Sequence, residues 1–184
     1  MALTPSNMLP LDTKAPDFKL LDTVTNQLCS YQDIRGERGT VVMFICNHCP
    51  FVVHVVEEIV RIANDYRVLG FGFVAISSND IEAYPQDGPT LMWQNARKNS
   101  FTFPYLLDET QEVAKAYEAA CTPDFYIFGA NDRLVYRGQL DNSRPGNGIP
   151  VNGRDVREAL DNIFNSKPQS EIQKPSIGCN IKWK

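Results

Sequence analysis

Two short, nearly unbroken apolar runs organise the chain. Thr40–Ile45 and Phe71–Ser77 are rich in β-branched residues and Phe, as expected of strands buried on both faces of a parallel sheet. Between them, Val52, Val56, Ile59, Val60 and Ala63 recur at helical spacing. His54, Glu57, Glu58, Arg61 and Asn64 fill the opposite face. β-branched residues are mediocre helix formers, so this helix must draw its stability from packing on a sheet. Strand, helix and strand within this span predict a right-handed βαβ unit.

The flanking pattern extends the unit. Phe18–Leu21 and Gln27–Tyr31 read as short strands joined by the turn-prone Asp22–Asn26. A polar connector at Ser78–Pro89 leads to a predicted helix at Thr90–Lys98, a short strand at Tyr105–Leu107 and a helix over Asp108–Ala119 with Thr110 as its N-cap. Phe125–Phe128 and Arg133–Gln139 flank a hairpin turn at Gly129–Asp132. After a Gly/Pro/Asn-rich loop at Asp141–Gly153 comes a last helix, Asp155–Asn165. In the tail, residues 167–184, Ile181 and Trp183 are candidate anchors. The order predicts an α/β fold, a central mixed sheet flanked by helices. We read residues 1–184 as one domain, with residues 1–38 as an N-terminal strand extension, an inserted helix after the second core strand, and an anchored C-terminal tail.

Bulk composition narrows the function. The chain has 184 residues and a net charge of −4, with a pI of about 5.2. No basic patch suggests nucleic acid or a membrane surface. No apolar run approaches the ~20 residues of a membrane span. The N-terminus lacks the basic and apolar regions of a secretory signal, so the expected location is the cytoplasm. Five cysteines form an odd set in a chain large enough to fold without staples. That points to thiols with chemical roles, metal ligation or plain burial rather than a disulfide framework. Nothing in these features sets the oligomeric state.

The chemistry concentrates at Cys46-Asn47-His48-Cys49-Pro50, between the first apolar run and the amphipathic segment. Dithiol exchange needs one thiol ionised near neutral pH and a second within reach to resolve the mixed disulfide. Pro50 suits the first helical position, where no N–H partner is needed, so both thiols approach a helix N-terminus that favours negative charge. Position along that approach assigns Cys46 as the outer, attacking thiol and Cys49 as the buried, resolving one. A cationic His48 would lower the Cys46 pKa further. A zinc site is the competing reading, with Cys46, Cys49, His48 and one of Cys121 or Cys179 as ligands. Haem attachment needs His where Pro50 stands and is excluded.

Thr122-Pro123 is the second site. A proline there belongs at the start of the following strand, and its peptide bond is a candidate for cis. Cys121 precedes it and is either a third redox thiol or a small buried side chain. Cys179 has three open roles: bridging Cys121, resolving Cys49, or packing. Cys29 reads as structural and His54 as solvent-facing. Asp80 and Asp124 are candidate carboxylates for the rim.

A CxxC after a buried strand, followed by Thr-Pro before a terminal hairpin, resembles the thioredoxin fold. That resemblance implies a cis Pro123 facing Cys46, with the Thr122 backbone placed to pair with a bound substrate peptide. A narrower match runs through Cys46–Pro50, Ser78-Asn-Asp80, Tyr84-Pro85, Phe103-Pro-Tyr-Leu106, Cys121-Thr-Pro-Asp124, Leu134-Val-Tyr-Arg-Gly138 and Ile177–Lys184. These segments resemble the peroxiredoxin-like redoxins of the alkyl hydroperoxide reductase/thiol-specific antioxidant superfamily. Against thioredoxins, the strand Thr40–Ile45 lacks the buried Asp and the Trp. Against peroxiredoxins, aligning the reactive cysteine with Cys49 leaves no Arg near Thr122 to polarise a peroxide, and only Arg137 or Arg144 could substitute.

The expected function is a thiol–disulfide oxidoreductase working through a Cys46/Cys49 pair, supported by Asn47, His48, Thr122 and Pro123. Its partners would be a disulfide-containing protein or small thiol substrate and an external thiol reductant, and it requires no organic cofactor or metal. The alternatives are a peroxiredoxin-like thiol peroxidase with antioxidant activity, and a redox- or zinc-sensing binding module.

Overall fold

The computed structural model describes residues 3–184. In chain order the elements begin with β1 (Leu3–Pro5), β2 (Lys19–Asp22), β3 (Gln27–Ser30), α1 (Tyr31–Ile34), β4 (Gly39–Phe44), α2 (Pro50–Arg67) and β5 (Phe71–Ser77). A 3-10 turn at Pro85–Asp87 precedes α3 (Pro89–Lys98), β6 (Tyr105–Leu107), α4 (Glu112–Ala116) and β7 (Cys121–Thr122). The chain ends with β8 (Asp124–Gly129), β9 (Leu134–Gly138), α5 (Arg154–Phe164) and β10 (Ile177–Asn180).

Seven strands form the main sheet in the order β3-β2-β6-β5-β4-β8-β9. β4 pairs parallel with β5, and β5 with β6. β8 runs antiparallel to β4, with Phe44 opposite Asp124. This register brings Asp124, and hence Thr122-Pro123, beside the end of β4 where Cys46 follows. The sheet is mixed and both faces are covered. Val41, Met43 and Ile45 pack with Val52, Val55, Ile59 and Ile62 of α2 and Val156 and Leu160 of α5. Val42 and Phe44 point to the opposite layer, against Tyr117, Tyr126 and Phe128. The period of two along β4 therefore feeds two cores, which explains its unbroken apolar run.

A second, three-stranded antiparallel sheet, β1-β10-β7, joins the two ends of the chain to the Thr122 loop. Cys179 pairs with Thr122 on one side and Leu3 on the other. The neighbouring residue has to be Gly178, because a Cβ there would collide with the Thr122 carbonyl oxygen. Beyond β10, Lys182 N–H donates to Asn79 Oδ1 and Lys184 N–H to Gln111 Oε1. Ile181 is buried as an anchor, whereas Trp183 is 44% exposed.

Three local expectations need correction. The helix read over Asp108–Ala119 is shortened to Glu112–Ala116. Gln111 takes a left-handed φ of 65°, while Asp108 accepts from the backbone N–H groups of Val113 and Ala114. Glu58, read as solvent-facing, is buried because α5 crosses α2 there, and Arg157 and Arg61 pair with its two oxygens. His54 is half-buried, lining a small crevice with Phe51, Pro123 and Arg144. Among the described residues, no helix is long and apolar enough to cross a membrane.

Candidate active site

α2 starts at Pro50, with Cys49 as its N-cap. Cys49 therefore stands where the helix dipole and the first unpaired N–H groups favour an anion. Cys46, three residues earlier, lies two residues beyond the end of β4. Both are buried, at 1% and 0% exposure for Cys46 and Cys49 respectively, so the two thiols are not separated into an outer and an inner one.

The Thr122–Pro123 peptide bond is cis, and Thr122 touches both thiols. Its hydroxyl lies 3.5 Å from Cys46 Sγ, and its carbonyl oxygen lies 3.2 Å from Cys49 Sγ. A third sulfur completes the group. Cys179 Sγ, carried by β10, is 2.7 Å from Cys49 Sγ. The backbone edge of Thr122, expected from the resemblance to receive a substrate peptide, is instead paired with this strand of the same chain.

The ionisation order is the reverse of the one position suggested. The Cys49 thiol is held down at about 5, by the hydrogen bond from Cys46, against burial, and then by donation from the Cys179 thiol and the N–H groups of Val52 and Cys179. Cys46 is pushed well above its ordinary value, because its proton serves the bond to Cys49, because it is buried, and because Asp87 lies close. Ionised Cys49 loses its own donation to the Thr122 carbonyl, but the donors converging on it outnumber that contact. The pair thus holds one negative charge, centred on Cys49.

His48 stands beside a carboxylate. Its Nδ1 is 2.7 Å from Asp87 Oδ2, and its ring stacks on Tyr84 at 6.0 Å. Asp87, wholly buried, also accepts from Asn47 N–H and Asn79 Nδ2. Asn47 fixes the loop from the other side, accepting from Asn95 Nδ2 and the Tyr105 hydroxyl. The buried carboxylate absent from β4 is thus supplied by the 3-10 turn. Sequence reasoning missed Asp87 because nothing in a Pro- and Gly-flanked connector sets it apart from a solubilising acid.

Asp124 is the second buried carboxylate at this loop. It accepts from Ser6 Oγ and the Tyr126 hydroxyl, and burial pushes its pKa up to about 7. Asp80, the other carboxylate considered for the rim, caps the turn at Glu82 and Ala83. Cys121 is buried and held protonated by burial and by Asp124, which favours packing over redox chemistry. Cys29 is half-buried in β3, its pKa raised to about 11 chiefly by burial. Of the zinc ligand sets considered, Cys46 and His48 do converge, with Asp87 as the third group; their ligating atoms lie within 4.8 Å of one another. Arg137 donates to the Leu9 carbonyl and to Gln173. Arg144 donates to the Asp141 and Ser143 carbonyls and to Gln139. Protein acceptors thus engage both guanidinium groups considered for polarising a peroxide.

Known proteins share this architecture. An uncharacterized conserved protein from Geobacillus kaustophilus is similar over 100% of this chain and 97% of its own, at 56% identity and a TM-score of 0.98. A hypothetical protein from Sinorhizobium meliloti 1021 is similar over 98% of each chain, at 44% identity and a TM-score of 0.95. A secreted Mycobacterium tuberculosis disulfide oxidoreductase, 14% identical over 78% of this chain and 94% of its own, shares the thioredoxin-like fold at a TM-score of 0.61. No curated protein matches this sequence. The AhpC/TSA family model matches residues 11–137; this span covers well over half of the chain, which therefore belongs to the AhpC/TSA family of redoxins and carries their thioredoxin-like fold.

Proposed function

We propose that this protein is a thiol–disulfide oxidoreductase that uses Cys46 and Cys49 as a dithiol–disulfide pair. Family membership supports thiol redox chemistry as the class of reaction. The observation that carries the finer reading is the low pKa of Cys49 at the α2 N-cap, with a protonated Cys46 bonded to it. The thiolate is the nucleophile in exchange, so roles follow charge rather than position. Cys49 attacks one sulfur of a substrate disulfide and the other leaves as a thiolate. Cys46 then attacks Cys49 Sγ, its proton passing to the departing sulfur, and the Cys46–Cys49 disulfide remains. An external thiol reductant restores the dithiol. Thr122 and Pro123 wall the site, and Asn47 and His48 hold the Cys46 loop through Asp87.

Both sulfurs lie beneath the surface, so substrate reaches them only as the covering segments part. This favours small disulfides, or protein disulfides on extended segments. A peroxidase reading draws on the same Cys49 thiolate, but Arg137 and Arg144, the two guanidinium groups considered for polarising a peroxide, are bonded to protein acceptors.

Reduced wild-type protein should consume a model disulfide to completion, gaining one intramolecular disulfide per chain, and should turn over when a thiol reductant is supplied. An unchanged thiol count after incubation would end the assignment. So would hydrogen peroxide consumed far faster than any disulfide.

A further inference from the structure

Cys49 has two thiol neighbours, and the dithiol mechanism uses only one. The second, Cys179, arrives from the far end of the sequence, 130 residues away, on a strand whose position is tightly set. β10 is paired on both edges, by β1 and by β7. Its register puts Cys179 opposite Thr122, the residue whose carbonyl already contacts Cys49. Gly178 allows the strand to come that close, since any side chain there would strike the Thr122 backbone. The result is an Sγ–Sγ separation of 2.7 Å, against about 2.05 Å in a formed disulfide. Ordinary packing of a small apolar side chain needs none of this, and Cys121, on the same β7–β10 ladder, shows what such packing looks like: its Sγ reaches the Pro123 carbonyl at a long 4.0 Å.

We propose that Cys179 is a second resolving thiol, so that Cys49 is the shared sulfur of two alternative disulfides, Cys46–Cys49 and Cys49–Cys179. This rests on the reading of Cys49 as the attacking thiolate. Once Cys49 is joined to a substrate sulfur, Cys179 attacks Cys49 Sγ. The Cys179–Cys49 bond forms, the Cys49–substrate bond breaks, and the electron pair leaves on the substrate sulfur, which takes the Cys179 proton. The substrate disulfide has gained two electrons and the two protein thiols have lost them. The same thiol can also attack a Cys46–Cys49 disulfide, moving the bond to Cys49–Cys179 and restoring Cys46 as a thiol with no net oxidation.

The electrostatics fit this order. In the resting protein Cys179 is pushed up to about 12, by burial and then by the neighbouring Cys49 thiolate. A Cys49 already tied into a disulfide carries no charge, so one of the two influences holding the Cys179 proton disappears as its turn to attack comes. Lys182 favours the thiolate that results. Oxidation at Cys179 would also fasten β10 covalently to the start of α2. An oxidised protein with Cys46 still a thiol would keep a group able to open further disulfides, as disulfide rearrangement requires.

An aromatic disulfide that releases a coloured thiol provides the test, with peptide mass mapping of Cys49. Reduced Cys46→Ser should release two coloured thiols for each Cys49 consumed and end with a Cys49–Cys179 disulfide. Cys46→Ser/Cys179→Ser should release one and retain the other on Cys49; Cys179→Ala in the same background controls for the serine. Oxidised wild type should contain both disulfides. A Cys46→Ser protein that keeps the probe on Cys49, beside a wild type holding only Cys46–Cys49, would overturn the proposal and leave the dithiol reading intact. Cys49 unmodified in every variant would overturn both. Release of two thiols by the double variant would overturn it too, assigning resolution to another cysteine.

Discussion

Replacing Cys49 with serine is expected to reduce disulfide turnover to the uncatalysed rate, a loss of roughly 100-fold or more of the kind seen when a nucleophile is removed. Replacing Cys46 is expected to spare the first attack. The asymmetry follows from where the negative charge sits. Cys49 accepts hydrogen bonds from the Cys46 and Cys179 thiols, from the N–H of Val52 in the first turn of α2 and from the N–H of Cys179 on β10. A serine hydroxyl in its place stays protonated at neutral pH and cannot attack sulfur. A serine at position 46 can still donate to the Cys49 thiolate, so the nucleophile survives while one resolving thiol is lost. Mass analysis after exposure to a model disulfide separates the two. Cys46→Ser should pass through a mixed disulfide on Cys49 and end with Cys49 joined to Cys179, and Cys49→Ser should form neither. A mixed disulfide on Cys46 in the Cys49→Ser protein would restore the order that chain position suggests.

The second large effect is on stability. Asp124 is wholly buried at the start of β8, and its pKa rises from an ordinary 3.8 to about 7, chiefly through burial, against bonds from Ser6 and Tyr126 that favour the charged form. Below pH ~4 the carboxyl is protonated in both folded and unfolded chains and pH changes nothing. Between about 4 and about 7 the unfolded chain releases this proton and the folded one keeps it. The folded state then binds more protons, so its stability falls as pH rises, by about 4 kcal/mol across the window, and levels off above it. Asp124→Asn keeps the shape and removes the titration; its amide oxygen can accept from Ser6 and its amide nitrogen can donate to the Tyr126 oxygen. Denaturant unfolding of both proteins across this range should show the difference between them growing in favour of the variant as pH rises to about 7. A difference independent of pH would mean that Asp124 titrates normally.

Much of this site is legible in the amino-acid sequence. The runs at Thr40–Ile45 and Phe71–Ser77 announce themselves because β4 and β5 are covered on both faces, leaving no polar alternation to blur them. Pro50 marks the start of α2 because only a first-turn position accepts a residue without an N–H. What stays hidden is built from long-range pairing. β1 and β10 are strands of three and four residues whose partners lie at the other end of the chain or in the two-residue β7. No local pattern encodes such a ladder, so Cys179 can be named from the sequence but not given a role. Asp87 is hidden for the same reason: its partners Asn47 and His48 lie across a βαβ crossover. Glu58 is misread because the helical wheel of α2 alone knows nothing of Arg157 on α5. The order of ionisation escapes because helix position is the only electrostatic cue the sequence offers, and it cannot weigh a donor arriving on β10 or the Asp87 carboxylate beside Cys46.

Ultraviolet thiolate absorbance, followed from acid to alkaline pH, shows which sulfur carries the charge, because it reads ionisation whether or not the sulfur is exposed. The reduced wild-type protein should show one thiolate appearing with a midpoint near 5, absent from Cys49→Ser and retained in Cys46→Ser. A first thiolate appearing only in the ordinary range near 9, or one that persists in Cys49→Ser, would contradict a Cys49 thiolate at neutral pH.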